Sequence, residues 1–447
     1  KKVGGDLMHE MPKVGERVKM ELANKYYKIS QKLGDGTQGQ VYEVEADGTK
    51  LALKWYKPNK ATSQQHEMIR ELIRIGAPCQ RFLWPLDLAF SDQISGFGYI
   101  MELRDEDYRS IAELVARRVE PSFKVLCTVG YQLADSYRKL HSKGYCYRDI
   151  NFNNIFFDPE SGDIAICDND NVGIDGVSTA SVLGTQRFMA PEIVRGEDKP
   201  STKTDLFSLA VLLFYIFINN HPLHGKKESQ IRCFDLPAMK KIYGQEPVFI
   251  FDPQDRSNRP HPREHRNALL SWPLYPQFLK KLFLQSFTTG LNSPEKRVRE
   301  GQWRKVMLRL RDAIFYCANC GSENFFAPEK RGADKAGECW NCQKELELPY
   351  RILLDNKIAK TVMLTHETKL YPHHLKAKKK RNFSEPLAEV VQHPKDPSIW
   401  GLKNLSDISW QVTTKNKEKK DVEPEQSAVL APGVRINFGS THGQIIY

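Results

Sequence analysis

The spacing of apolar and polar residues changes period several times along the chain, and these changes divide it into parts. Alternating residues on either side of a glycine-rich turn at 34–39 predict two strands joined as a hairpin. Leu51-Ala52-Leu53-Lys54-Trp55-Tyr56 predicts the next strand, with Asp47-Gly48 as the turn before it. Residues 17–20 predict a short strand upstream, and 97–103 another downstream. Between them Met68, Ile69, Leu72, Ile73 and Ile75 recur at helical spacing and predict a helix over 63–75. The pattern then becomes mainly helical. Residues 123–141 predict a long helix stopped at Lys143-Gly144. The run 206–218 contains Ser208 and is shorter than a bilayer requires, so it predicts a buried core helix. In the last hundred residues the period returns to two: 350–354, 359–364, 388–391 and 434–438 alternate between polar turns and predict a β domain.

A chain of 447 residues exceeds one comfortable core, and two to four domains are expected. Its net charge of +11 permits attraction to nucleic acid, anionic lipid or acidic proteins without selecting among them. The basic runs at 376–381 and 415–420 supply part of that charge and read as solvated loops. The amino terminus carries no n-region followed by an apolar h-region, so secretion is not expected and a cytoplasmic location is. Five of the nine cysteines are scattered, whereas Cys317, Cys320, Cys339 and Cys342 form two C-x-x-C pairs. That distribution suits a reducing compartment with one metal site. Four thiolates on two tight turns suit structural zinc, with iron or an iron-sulfur group as the alternative.

The candidate chemistry lies in the first two thirds. Gly34, Gly36 and Gly39 form a G-x-G-x-x-G turn between strands; a dinucleotide fingerprint would instead open a helix. Strand alternation puts Ala52 and Lys54 on one face. Further on stand Asp149, Asn154 five residues later, and Asp168 between β-prone segments. This ordered set resembles the protein-kinase family and implies an α+β, bilobal protein-kinase-like fold over 26–315, with lobes at 26–103 and 104–315 after an extension at 1–25.

The resemblance implies roles for individual residues. Gly34, Gly36, Gly39 and Val41 would surround the nucleotide, Ala52 would lie against adenine, and Met101 behind it, with the Glu102 and Leu103 backbone at its polar edge. Lys54 would reach phosphate, paired with Glu71 of the helix or, as the fallback, Glu67. Asp149 would accept the substrate hydroxyl proton, and Asn154 and Asp168 would hold magnesium or manganese accompanying ATP. Gly184-Thr185-Gln186-Arg187-Phe188-Met189-Ala190-Pro191-Glu192 resembles the serine/threonine-kinase pattern, with Thr185 near Asp149. Ser178, Thr179 and Ser181 are candidate phosphorylation sites, and Arg148 is the cation that would receive an added phosphate. Asp205 would orient the catalytic-loop backbone, and Arg297 would clamp Glu192. Four positions depart from the family pattern: Tyr147 for histidine, Asn151 for lysine, Asn169 for phenylalanine and Asp170 for glycine. They imply altered control and slower turnover rather than loss, with Asp170 adding a carboxylate near the metal.

Beyond the kinase-like region, a four-cysteine zinc ribbon is expected at 316–346 and a β-sandwich at 347–447. Leu402-Lys403-Asn404-Leu405-Ser406 and the ending Leu430-Ala431-Pro432-Gly433-Val434-Arg435-Ile436-Asn437-Phe438-Gly439 resemble forkhead-associated domains. The elements of their phosphothreonine pocket are not recognisable; His373 and His374 are read as interaction residues. With Ala52-Leu53-Lys54-Trp55-Tyr56 and Phe82-Leu83-Trp84-Pro85-Leu86, the whole resembles bacterial eukaryotic-type kinases of the tellurium-resistance-associated triad. That implies a protein substrate, with a von Willebrand A-domain protein and a PP2C-type phosphatase as partners. Nucleic-acid binding is the lesser expectation, and the longest apolar run is too short for membrane insertion. The expected function is ATP- and magnesium-dependent serine/threonine phosphorylation in bacterial stress signalling. The alternative is a nucleotide-binding pseudokinase scaffold whose C-terminal domains recruit partners; a third reading, nucleic-acid binding through the knuckles and basic runs, predicts salt-sensitive association.

Overall fold

The computed structural model describes residues 11–177, 184–327, 337–355, 360–376 and 383–447; Ser178, Thr179 and Ser181 lie outside these, as do 377–381 of the first basic run. Six strands, β1 (Arg17–Met20), β2 (Tyr26–Asp35), β3 (Gly39–Ala46), β4 (Thr49–Tyr56), β5 (Asp87–Phe90) and β6 (Gly98–Met101), close into an antiparallel barrel in the order β1-β2-β3-β4-β6-β5. Closure comes from β1, which pairs with β2 and, through Met20 opposite Ala89, with β5. A boundary at Tyr26 therefore cuts between paired strands, and the stretch read as an extension contributes a strand to the first lobe. Asp47 and Gly48 both take positive φ, 49° and 74°, as a two-residue hairpin turn requires.

Alternation along β4 sorts its side chains into two environments. Leu53 and Trp55 fill the barrel with Val18, Ile29 and Val44. Ala52 and Tyr56 join a second core with Tyr99, Met101 and the helix α1 (Ser63–Ile75). Lys54 shares their face. Thr62 starts α1 by accepting from Gln65 N at 3.1 Å, and Gly76, at φ 67°, ends it. The inward stripe of α1 runs through Ile69 and Leu72, with Gln65 one turn before Ile69.

The second lobe is built on two helices whose bounds match their sequence patterns. Phe123–His141 begins at Ser122, whose hydroxyl accepts from Val125 N at 3.2 Å. Thr202–Ile218 is apolar around most of its circumference and correspondingly buried. Each fully buried Leu or Phe on it contributes about 1.5–3 kcal/mol relative to exposure. A short hairpin of Ile155–Phe157 and Ile164–Ile166, with Ile155 opposite Ile166, brings the residues outside its open end together. Cys167 N accordingly donates to Asn154 O at 2.8 Å. Arg297 and Glu192, far apart in sequence, form a buried bidentate pair at 2.7 and 2.8 Å.

The chain continues from helix Glu300–Asp312 into a hairpin, Ile314–Tyr316 with Glu323–Phe325, that carries the first cysteine pair. Cys317 and Cys339 share an apolar cluster with Phe315, Leu346, Leu348 and Met363, so the cysteine unit is packed between the second lobe and the C-terminal sheets. The last part contains a six-stranded and a four-stranded antiparallel sheet whose buried residues, among them Ile352, Leu402, Trp410 and Ile436, form one core. His373 and His374 are buried rather than displayed for a partner. The Nδ1 of His374 accepts from Tyr371 N at 2.8 Å, and its Nε2 meets Asp312 Oδ1 at 3.0 Å, tying this part to the end of the preceding helix. Among the described residues, no helix is long and apolar enough to cross a membrane.

Candidate active site

The turn between β2 and β3 closes through Gly36 N donating to Gly39 O at 2.9 Å. Its glycines serve different ends. A Cβ on Gly39 would collide with the Trp55 carbonyl of β4, so this position is fixed by backbone packing. A Cβ on Gly34 would meet nothing within 4 Å, and one on Gly36 only the Gly39 carbonyl, leaving open space along the turn. Val41 lies opposite Lys54 in the β3–β4 register, and Ala52 opposite Met101 in β4–β6. Glu102 and Leu103 follow directly where the first lobe ends.

Lys54 is buried, and its Nζ is surrounded by oxygen. It lies 3.3 Å from Asp168 Oδ1, 2.8 Å from Asp170 Oδ2 and 3.1 Å from Gln38 Oε1. Burial alone would lower its pKa, but the charges of Asp170 and Asp168 outweigh that cost and hold it above the ordinary lysine value. Glu71 does not reach this group. It lies off the stripe of Gln65, Ile69 and Leu72, is 43% exposed, and forms a forked pair with Arg74 at 2.7 Å. The fallback, Glu67, is also exposed and faces Arg70 and His66. The expected pair between Lys54 and the helix is therefore absent in this structure, because helical phase turns both glutamates to solvent.

Asp149 accepts a hydrogen bond from Thr185 Oγ1 at 2.8 Å. Asn154 donates through Nδ2 to the Asp149 carbonyl at 2.9 Å and to its Oδ2 at 3.2 Å, so its Oδ1 is the atom that remains for a cation. The hairpin set Asn154 beside Cys167, and hence near Asp168. The Asp168 carboxyl is raised by desolvation, opposed by Lys54 and reinforced by Asp170, yet the side chain keeps 43% of its surface accessible to solvent. An accessible carboxylate, an amide oxygen, a buried ammonium and an open glycine turn suit a magnesium-bound polyphosphate, which takes hard oxygen ligands and needs cationic balance. Arg148 and Asp168 hold left-handed backbone at φ 73° and 50°, conformations that persist where surrounding contacts over-determine them.

Those contacts involve three of the four positions that departed from the family pattern. The Tyr147 hydroxyl donates to the Cys167 carbonyl, beside Asp168. Asn151 donates to Asp149 O at 3.1 Å and accepts from Asn153 N at 2.8 Å, so it shapes the loop instead of presenting a cation. Asn169 is fully buried and donates to Leu83 O and Ile166 O at 2.7 and 2.9 Å, anchoring the turn by hydrogen bonds where an apolar residue would rely on packing. Gln38 is a residue the sequence did not single out. It joins the glycine turn to Lys54 and, through Nε2, to Asn171 Oδ1 at 3.1 Å; its only sequence signal was its place in that turn.

Asp205 supports the loop from below, accepting from Tyr147 N and from Arg148 N, the latter at 3.0 Å. His141 Nε2 meets the same carboxylate at 3.0 Å while its Nδ1 meets Glu300. Burial lowers the pKa of His141, but Asp205 and Glu300 outweigh it and raise it from 6.5 to about 9. A folded pKa above the unfolded one stabilises fully below pH 6.5 and loses that contribution as pH rises through 9. Wild-type protein is expected to lose on the order of 3 kcal/mol across that window. Chemical denaturation at a series of pH values should show the loss, and His141→Gln should flatten it. Arg148 packs its guanidinium over Gly173, where any Cβ would collide with it, and donates to Val177 O at 3.0 Å.

The four cysteine sulfurs lie within 4.8 Å of one another, with Cys317–Cys342 and Cys320–Cys339 both at 3.7 Å. Tetrahedral zinc with thiolate bonds near 2.3 Å has edges of about 3.8 Å, so the donor set fits that ion. Hydrogen bonds from Ser322 lower Cys320 to about 6, toward the thiolate a cation needs. Asn324 Nδ2 donates to Cys339 Sγ at 3.7 Å.

Residues 27–283 match the family described as "Protein kinase domain". Among curated proteins, the chain is 26% identical over 207 residues to the probable serine/threonine-protein kinase glkA of Dictyostelium discoideum, covering 45% of this chain and 42% of that protein. It is 28% identical over 244 residues to human ribosomal protein S6 kinase alpha-4, covering 48% and 29%. It is also 28% identical over 209 residues to serine/threonine-protein kinase SBK1 of Danio rerio, covering 44% and 53%. The matched stretch thus spans about a third to a half of these relatives.

Proposed function

Given that this chain belongs to the protein kinase domain family, we propose that it transfers the γ-phosphate of ATP to serine or threonine hydroxyls of a protein substrate. The observation that carries the reading is the convergence of Thr185 on Asp149, Asn154 on Asp149, and Lys54 on Asp168 within one cleft. Asp149 is positioned to take the hydroxyl proton as the oxygen attacks phosphorus. Thr185, donating to Asp149 Oδ1, fixes the carboxylate's orientation. Lys54 would neutralise nucleotide phosphates, and the glycine turn would hold them by backbone N–H groups. Asn154 Oδ1 and Asp168 would hold magnesium or manganese, which supplies charge neutralisation when bound. Ala52, Val41 and Met101 would enclose adenine, with the Glu102 and Leu103 backbone at its edge.

Asn151 offers no cation to the transferring group, which accords with slower turnover and keeps a second reading in view: a nucleotide-binding scaffold. We assign transfer to residues 17–315, which adds the strand Arg17–Met20 to the expected 26–315, a structural zinc to 316–346, and partner recruitment to a forkhead-associated-like β-sandwich at 347–447. The motif strings around Lys54 and Phe82 support placement in a bacterial stress-signalling system with a von Willebrand A-domain protein and a PP2C-type phosphatase. Purified full-length chain incubated with labelled ATP, magnesium and a generic protein substrate should yield phosphoserine or phosphothreonine. Nucleotide binding without any transfer would favour the scaffold.

A further inference from the structure

Asp170 occupies a position where the family pattern has glycine, and the phosphoryl-transfer roles proposed above leave its side chain unassigned. We propose that Asp170 is a positioning residue: it replaces the helix glutamate as the anion that holds Lys54 in place for the nucleotide phosphates. This rests on reading the cleft as a phosphoryl-transfer site.

The three partners of Lys54 differ in what they can do when a polyphosphate enters. Asp168 is the more distant carboxylate, at 3.3 Å, and 43% exposed to solvent. Gln38 is neutral and belongs to the glycine turn that borders the phosphate space. Both contacts can be exchanged for phosphate oxygens. Asp170 cannot be exchanged in this way: its side chain is fully buried, with Oδ2 2.8 Å and Oδ1 3.0 Å from Nζ. Oδ2 also accepts from the Tyr56 hydroxyl at 2.6 Å, and that hydroxyl accepts from Gln65 Nε2 at 3.0 Å. The flanking residues fix the turn on both sides, Asn169 through Leu83 O and Ile166 O, Asn171 through Gln38. A carboxylate held this firmly keeps Nζ in register after its other partners leave.

The sequence makes the exchange self-consistent. Tyr56 lies two residues beyond Lys54 on the same strand face, where it orients the new carboxylate. The inward stripe of α1 supplies Gln65, not an acid, while Glu71 pairs with Arg74. Lysine placement is thereby coupled to the metal-binding turn, since Asp168 and Asp170 share it. In the usual arrangement it is coupled to the helix, whose position controls activation. Here α1 reaches the group through a neutral hydrogen bond, from Gln65 to the Tyr56 hydroxyl.

The test uses the full chain and compares Asp170→Asn, Asp170→Gly and Glu71→Ala by steady-state kinetics and by titration with a fluorescent ATP analogue and magnesium. Asp170→Asn and Asp170→Gly are expected to lower kcat about a hundredfold while raising the KM for ATP only about fivefold, a split that marks loss of transition-state positioning. Glu71→Ala should lose at least about tenfold less in kcat than either. A larger loss in Glu71→Ala, or kcat retained within about threefold in Asp170→Gly, overturns the proposal. Should the Asp170 variants not fold, Tyr56→Phe removes the hydroxyl that orients the carboxylate and should lower kcat about tenfold; an unchanged kcat overturns it equally. If wild-type protein transfers no phosphate, the functional reading fails on its own. Asp170 is then judged by nucleotide affinity: the dissociation constant should rise about fivefold in Asp170→Asn and less in Glu71→Ala, and no rise would overturn the assignment.

Discussion

Asp149→Asn should reduce phosphate transfer by about a thousandfold or more while leaving Mg-ATP affinity within about threefold, because a positioned base contributes roughly 10²–10⁴ to such a step. Asparagine preserves the shape that receives Thr185 Oγ1 and adjoins Asn154, so the loop should retain its geometry. What it lacks is the capacity to take the hydroxyl proton. The comparison is made on full-length protein with labelled ATP, alongside nucleotide titration and thermal melting. Equal labelling by wild type and variant would sink the base assignment, while equal affinity with no labelling in either protein would favour the scaffold.

The second large effect is expected at the cysteines. Cys339→Ser should abolish one equivalent of bound zinc, measured by elemental analysis, and lower the melting transition by more than about 10 °C. Structural zinc contributes folding free energy directly, on the order of 10 kcal/mol in small zinc peptides. Here Cys317 and Cys339 also belong to the apolar cluster that includes Phe315 of the preceding hairpin and Met363 of the C-terminal sheet. Loss of the ion should therefore loosen the junction between the two, and chelation of wild-type protein should produce the same shift. Wild-type protein that contains no metal after purification from zinc-supplemented medium, and melts unchanged in chelator, would refute the site.

The legibility of the chain follows the range of the interactions. The helix over Phe123–His141 could be read in place because its apolar period, its Ser122 cap and its stop at Lys143-Gly144 are all local. The Asp47-Gly48 turn was readable for the same reason. Glu71 was not. The family resemblance selects it, but only the helical stripe of Gln65, Ile69 and Leu72 reveals which side faces the lysine. Likewise, His373 and His374 read as interaction residues, yet the fold buries both, with His374 joined to an aspartate 62 residues away.

The sequence by itself determined the family, the order in which the candidate site residues stand, the paired cysteine knuckles and the β-rich end, because each is encoded by spacing along the chain. The tertiary structure alone decided which groups meet. It closed the barrel with residues outside the expected domain boundary, hooked Gln38 onto Lys54, and turned Asp170 from a missing glycine into the buried partner of that lysine. Burial and charge pairing depend on segments more than a hundred residues apart packing around one ammonium group, and no local pattern carries that information.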